Sequence, residues 1–238
     1  MGEALRGKTV VVVGQGGGIA RAVAVLARSE GARVVVAGRD EARLAAAYEN
    51  TRIDAEFVDV TDDSSIAALA QRVGLVDHVV SAVSARARGR LDALERASLL
   101  KSFDTKVIGP LMLTKYFGAQ INPGGSFVLF SGFPAFKITV GFLGVAITDG
   151  AVDFLTRSLA VELAPIRVNA ISPGVIDSGA WDSLGEQGKR DHFENVGRTN
   201  LAQRIGTAED VADAALFAMT NTFVTGVTLE VDGGQHLS

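Results

Sequence analysis

The stretch Val10-Val11-Val12-Val13-Gly14-Gln15-Gly16-Gly17-Gly18-Ile19-Ala20 decides the fold of this 238-residue chain. Its apolar half predicts a buried strand over residues 8–13, and the glycines that follow run directly into a helix expected over residues 19–29. Glycines suit a turn that approaches an anion closely, and the helix N-terminus adds free N–H groups and the positive end of its dipole. A structural turn would look similar, but this position after a first strand favours a nucleotide site.

Short β-branched runs alternate with Ala-rich, helix-periodic stretches on both sides of this turn. Further strands are predicted at 33–37, 55–60, 76–83, 126–131, 166–171 and 227–231, and helices at 40–48, 64–73, 91–120, 149–163 and 209–219. Gly109-Pro110 is a candidate kink, and residues 181–206 are polar and broken in pattern. Because parallel strands need right-handed crossovers, the alternation predicts an α/β fold. We expect one Rossmann-type, doubly wound parallel sheet with helices on both faces, in a single domain over residues 1–238.

Composition excludes several classes of protein. Hydrophobic residues make up 47% and charged residues 21%, which allows a sizeable core and excludes intrinsic disorder. A net charge of −4 gives no global basic field for nucleic acid or an anionic membrane. The chain has no cysteine, so disulfides, thiolate metal sites and Cys nucleophiles are excluded, and its three histidines lie far apart in sequence. We expect no metal site.

The first apolar run is too short for a membrane span or the apolar part of a signal peptide. No nucleic-acid or membrane partner is therefore expected. The default location is the cytoplasm, and the absence of cysteine is compatible with it.

The glycine turn and several later segments resemble the short-chain dehydrogenase/reductase family. Gly14, Gly18 and Ile19 match the family's Gly-x-x-x-Gly-Ile-Gly turn, with Ala20 in place of the last glycine. Similar to the family as well are Asp59-Val60-Thr61, residues 155–163, the segment Arg167-Val168-Asn169-Ala170-Ile171-Ser172-Pro173-Gly174, and Val231-Asp232-Gly233-Gly234. The resemblance covers nearly the whole chain, and it implies an oxidoreductase with a nicotinamide dinucleotide.

The resemblance also implies which residues contact this cofactor. They are Gly14, Gln15, Gly16, Gly17, Gly18, Ile19, Arg39, Asp59, Val60, Ser81, Ala82, Val83, Pro173, Gly174 and Val175. At the end of the second strand, Ala37 and Gly38 leave open the place where NAD sites carry a carboxylate, and Arg39 follows. This pattern favours NADP(H), whose 2′-phosphate needs a cation. The alternative is that Arg39 only solvates its loop.

The catalytic half departs from the family pattern. Members usually reduce carbonyls with a Ser, a Tyr, a Lys and an Asn, and the tyrosine donates the proton. Aligned through residues 151–160, the first three positions hold Gly132, Val145 and Asp149, and the asparagine position holds Lys106. No tyrosine in the sequence is followed four residues later by a lysine. The resemblance therefore predicts an atypical member without the tetrad.

Three residues are candidates to replace it. Lys106 and Asp149 are expected to lie close together as an ion pair, in which Lys106 could be a proton donor or an anion clamp. The alternative is a structural salt bridge that fills a vacated pocket. Ser131 is the third candidate, but its one-residue offset on a strand points it to the other face. Its hydroxyl is expected to bond nearby backbone.

Two further segments bear on the substrate, which is expected to be a small molecule. Arg86, Arg88 and Arg90 form a basic run that could attract an acidic substrate or simply be a solvated loop. Residues 178–206 fall where the family carries its substrate lid. Candidates for ligand contact within this lid are Trp181, His192 and Phe193.

Two functions stay open at this point. One is an NADP(H)-dependent oxidoreductase with atypical proton delivery, and the other is a catalytically inactive NADP(H)-binding sensor or scaffold. An intact nicotinamide side and a lid-length segment favour the enzyme. The resemblance also implies a homodimer or homotetramer. Candidate apolar contact residues on its helices are Leu111, Met112, Leu113, Phe154 and Leu155.

Overall fold

A computed structural model describes residues 2–238. Its strands are β1 (Thr9–Val13), β2 (Arg33–Gly38), β3 (Asp54–Phe57), β4 (Val76–Ser81), β5 (Ile121–Phe130), β6 (Arg167–Pro173), β7 (Ile176–Asp177), β8 (Gly206–Thr207) and β9 (Thr228–Val231). The helices are α1 (Gly18–Ser29), α2 (Glu41–Ala47), α3 (Asp63–Val73), α4 (Arg96–Phe103), α5 (Gly109–Phe117), α6 (Leu143–Glu162), α7 (Gly185–Thr199) and α8 (Ala208–Thr220).

Seven strands form one parallel sheet in the order β3-β2-β1-β4-β5-β6-β9, and β7 pairs with β8 separately. Successive valines of β1 are fully buried on opposite faces: Val10 packs in the core with α1 and α8, and Val11 in the core with α3, α5 and α6. This double burial explains the continuous apolar strands. The predicted doubly wound sheet is confirmed, and its strand order reverses between β1 and β4, where such sheets bind ligands.

Several segments depart from the predictions, most of all in the helices. The predicted start of the helix over 91–120 is wrong, since α4 begins at Arg96. A π-helical turn, Asp104–Ile108, then joins α4 to α5. Helix α6 begins at Leu143, before the predicted residue 149. The unassigned lid segment contains α7, in which Val196 is the buried residue. The larger side chains of α7 are mostly polar, and Phe193 and Val196 are its only large apolar ones, too few for sequence analysis to assign the helix.

A buried histidine lies in the middle of the sheet. The His78 ring nitrogen Nδ1 is 2.9 Å from Ser126 Oγ on the neighbouring strand, and His78 is 4% exposed. Burial lowers the pKa of His78 to about 4, although the adjacent Asp77 partly opposes this change. Asp77 itself accepts hydrogen bonds from Lys8 Nζ and the Thr9 backbone N–H. The His78 imidazole is therefore neutral in the folded protein near pH 7.

We expect His78 to make folding less favourable in mild acid. Its folded pKa of about 4 lies below the ordinary value of 6.5, so the unfolded chain binds the proton more readily between these limits. Stability should fall as pH drops through this window, by about 2 kcal/mol between about pH 7 and pH 5. Urea unfolding of wild type and His78→Asn at both pH values measures this effect. An equal pH-dependent loss in both proteins would contradict the prediction.

Candidate functional site

A cavity of about 380 Å³ opens at the carboxyl ends of β1, β2 and β4. We call it the β1–β4 cleft. Its lining includes Gly14, Gln15, Arg39, Asp59, Val60 and Val83 from the predicted cofactor set. The remaining glycines of the turn follow Gln15 directly in the sequence, and Ser81 is buried at the end of β4. The predicted residues from four separate strand ends thus come to one edge of the sheet.

The glycine turn has the form of an anion cradle. A Cβ on Gly14 would lie 2.8 Å from the Ala20 Cβ, so glycine lets α1 begin directly against the turn. Gly16 has a left-handed φ of +73°, and Gly17 has open space beside its Cα. Among residues 2–238, no side chain caps the N-terminus of α1, and the first turn of this helix carries no acidic residue. The free N–H groups and open glycine surface fit a pyrophosphate.

Arg39 is exposed at the rim of the β1–β4 cleft, directly after β2. Within residues 2–238 its side chain makes no ion pair or hydrogen bond. The neighbouring Asp40 caps α2 by accepting a hydrogen bond of 2.9 Å from the Arg43 backbone N–H. The cation at this position is therefore available to a ligand, whereas the carboxylate of the next residue in sequence already has a structural partner.

A smaller cavity, of about 70 Å³, lies beside the cleft. We call it the Lys106 cavity. The three catalytic candidates, Lys106, Asp149 and Ser131, all line it, as do Gly132 and Val145 from the other two tetrad positions. Cofactor candidates Ile19, Pro173 and Gly174 line it too, whereas the backbone N–H of the buried Val175 donates to Gln235 Oε1. The catalytic candidates and part of the cofactor-binding set therefore meet at the Lys106 cavity.

Lys106 and Asp149 form the expected ion pair, with Nζ donating to Oδ1. Both residues are buried, at 6% and 1% exposure, and Lys106 Nζ also donates to the Ser131 carbonyl at 3.2 Å. Lys106 lies within the π-helical turn. Burial lowers the pKa of Lys106, and the Asp149 carboxylate partly opposes that change. The lysine is thus a buried cation that gives up its proton more readily than an exposed one.

The residues next to this ion pair leave space for the Asp149 side chain and hydrogen-bond to its backbone. A Cβ on Gly132 would lie 2.5 Å from Asp149 Oδ2, so the carboxylate occupies space that any side chain at position 132 would need. The Ser131 hydroxyl donates to the Asp149 backbone carbonyl at 2.9 Å, which confirms its expected bond to nearby backbone. Ser131 therefore supports the helix that carries Asp149.

The structure divides the basic run. Arg86 and Arg88 line the Lys106 cavity, and Arg86 also lines the β1–β4 cleft. Arg90 instead lines a separate apolar groove beside the start of α6. Because these three arginines, at alternate positions in the sequence, do not all line the same cavity, the run is not one surface.

The three lid candidates pack together. The ring centroids of Trp181 and His192 are 4.4 Å apart, and those of His192 and Phe193 are 6.2 Å apart. Trp181 lines the Lys106 cavity, but His192 and Phe193 do not. Burial and the nearby Arg88 lower the pKa of His192.

Ser178 is a residue of this site that sequence reasoning did not single out. Its carbonyl packs against Gly18, and it lines the Lys106 cavity.

Comparison with known proteins agrees with this architecture. A family profile described as "Enoyl-(Acyl carrier protein) reductase" matches residues 13–236. A sorbitol dehydrogenase of Cereibacter sphaeroides is 32% identical, with 98% of this chain and 99% of the relative covered. A short-chain dehydrogenase/reductase of Acremonium sp is 30% identical, covering 99% of this chain and 98% of the relative.

Solved structures agree as well. A small-chain dehydrogenase crystallised in complex with NADPH superposes with a TM-score of 0.87 at 29% identity, over 97% of this chain and 99% of that one. The MalC reductase/Diels-Alderase of Malbranchea aurantiaca superposes with a TM-score of 0.90 at 26% identity, over 99% of both chains. Among residues 2–238, no helix is long and apolar enough to cross a membrane. On its sequence, sheet topology and glycine turn, the chain belongs to the short-chain dehydrogenase/reductase family.

Proposed function

We propose that the protein is an NADP(H)-dependent oxidoreductase in which Lys106, paired with Asp149, takes over proton delivery. The observation that carries the proposal is the buried ion pair at the wall of the Lys106 cavity, formed by two residues at positions that the resemblance assigns to the tetrad. Gly132 has no side chain and Val145 has no polar group, so neither can donate a proton. Lys106 and the two arginines are then the charged donors that line this cavity.

The chain's own residues would hold the dinucleotide along the edge of the sheet. The glycine turn would bind the pyrophosphate, Arg39 the 2′-phosphate, and Asp59 and Val60 the adenine side. Ser81, Ala82 and Val83, with Pro173, Gly174 and Val175, would flank the nicotinamide. When bound, this cofactor supplies or accepts a hydride. The relative crystallised with NADPH supports the same cofactor here.

Lys106 would meet the charge that develops on the substrate. Carbonyl reduction builds negative charge on oxygen, which needs a proton or a strong donor. The lowered pKa of Lys106 favours proton release, and Asp149 would hold the ammonium group in place between catalytic turnovers. Conjugated alkenes and quinones would need less from this lysine, because they spread the charge over more atoms. Activated acceptors of this kind are therefore the expected substrates.

A catalytically inactive sensor or scaffold is the second candidate. It is favoured by the small volume of the Lys106 cavity and by the engagement of both Lys106 and Asp149 with each other. Single-turnover oxidation of bound NADPH across carbonyls, enones and quinones separates the two functions. We expect oxidation by at least one activated acceptor. Tight NADPH binding with no oxidation by any of them would favour the sensor, and absence of NADPH binding would exclude both.

Arg39 should set the cofactor preference. We expect NADPH to bind about ten- to a hundredfold more tightly than NADH, because the 2′-phosphate gains a charge-assisted contact. Arg39→Ala should remove this preference and leave NADH binding nearly unchanged. Arg43→Ala is a matched control, since Arg43 is exposed on α2 and does not line the β1–β4 cleft. Equal dissociation constants in titrations of the wild type would contradict the prediction.

We also expect a homodimer or homotetramer. Leu143, Ile147, Phe154 and Val161 are all exposed along α6, at spacings of about one or two helical turns. The prediction of Leu113 as a contact residue is wrong, because Leu113 is buried in the core. Leu111, Met112 and Leu155 pack partly against the core. Light scattering should give a particle of two or four chains, and Phe154→Arg should shift it towards the monomer. A monomeric wild type at micromolar concentration would contradict this expectation.

A further inference from the structure

We propose that the Lys106 cavity binds the carboxylate of an acidic substrate, and that Arg86 and Arg88 hold it. This inference rests on the proposed function and names its substrate class, a small acid whose unsaturated part lies next to the carboxylate. The basis is the charge along the wall of the cavity, where both arginines are exposed, the packing of Arg88, and the place of Arg86 between two cavities.

The charge of the cavity is unbalanced. Its ionisable lining consists of three cations, Arg86, Arg88 and Lys106, and one carboxylate, Asp149. Asp149 already pairs with Lys106, and within residues 2–238 neither arginine has an ion pair or a side-chain hydrogen bond. Three positive charges against one negative charge leave a net +2 at a recess in a protein whose overall charge is −4. An anion is the complementary ligand.

Arg88 is held in position by aromatic side chains. Its guanidinium carbon lies 5.4 Å from the ring centroid of Phe142 and 5.1 Å from that of Trp181. Contacts of this kind use the face of the guanidinium and leave the N–H groups at its edge for hydrogen bonds. A carboxylate accepts two such bonds side by side. His192 stacks on Trp181 and has a lowered pKa, so it is neutral near pH 7 and adds no competing cation.

The arrangement also sets where the rest of the substrate lies. Arg86 lines both the β1–β4 cleft and the Lys106 cavity, so an anion held there sits between the cofactor side and the ion pair. Phe133 and Val145 add apolar surface to the same cavity. A volume of about 70 Å³ equals that of only a few water molecules. Trp181 forms part of the wall of this cavity.

Trp181 is the only tryptophan in the sequence, so its fluorescence reports directly on the cavity. We would titrate trans-2-hexenoate and trans-2-hexenamide, which differ in charge but hardly in shape, into the protein with and without NADP+. We expect the acid to bind at least about tenfold more tightly than the amide. Arg88→Gln should abolish this preference. Arg90→Gln should retain it, because Arg90 belongs to the same sequence run but lines another groove.

Equal affinity for acid and amide, or no saturable binding of either at millimolar concentration, would overturn the proposal. So would an equal loss of preference in Arg90→Gln, which would indicate only general surface charge. Because Arg88→Gln also alters the surroundings of Trp181, calorimetric titration of the acid and an Arg86→Gln variant provide independent measurements. A separate NADPH titration tests the proposed function: if NADPH fails to bind while the acid preference persists, only the redox assignment is wrong.

Discussion

Replacement of Lys106 by methionine is expected to lower the free energy of unfolding by about 3–5 kcal/mol. The substitution leaves the Asp149 carboxylate, which is 1% exposed, without the cation that it contacts. Removing one partner of a buried pair costs more than the pair itself contributes, because the remaining charge stays desolvated. Urea unfolding near pH 7 measures the loss.

Two further variants make this experiment specific. Lys106→Met combined with Asp149→Leu should recover most of the lost stability, since apolar groups of similar volume often replace a buried pair at little cost. Arg157→Met is a matched control, because it removes an exposed partner of Asp153 on the same helix, α6, and should cost about 0.5 kcal/mol. A Lys106→Met protein as stable as the wild type would mean that Asp149 needs no partner cation.

Simple ketones and secondary alcohols should be turned over at least ~10²-fold more slowly than by relatives that carry the usual tetrad. Without a tyrosine at position 145 or a serine at position 132, the developing alkoxide depends on Lys106 for a donor. An ionised Asp149 accepts hydrogen bonds and cannot donate them. Steady-state assays on model ketones with wild type, Lys106→Ala and Asp149→Ala measure this dependence.

The residual ketone activity should fall further in Lys106→Ala. Because this variant also leaves a carboxylate buried, the paired Lys106→Met/Asp149→Leu protein provides a folded comparison, checked by circular dichroism and by its NADPH affinity. Ordinary ketone turnover that neither substitution affects would mean that another group delivers the proton.

Much of the architecture could be predicted from the sequence because its causes are local. Strand β1 is apolar at every position since both faces are covered, and the glycine turn follows from the backbone space that α1 and an anion require. The pairing of Lys106 with Asp149 was also predictable, although only through alignment with a family pattern. Helix α7 could not be found, since Phe193 and Val196 are its only large apolar side chains and most of its other residues are polar.

The sequence by itself determined the parallel sheet, the glycine turn and the residue types at the candidate site. Only the tertiary structure decided how these residues act on one another, because their contacts join positions that are distant along the chain. Lys106 and Asp149 meet across 43 residues, and the space for that carboxylate exists because Gly132 has no side chain. Likewise Arg88 and Arg90 are near neighbours in sequence, yet they line different cavities. Side-chain direction depends on the backbone path of a loop, which no periodicity encodes.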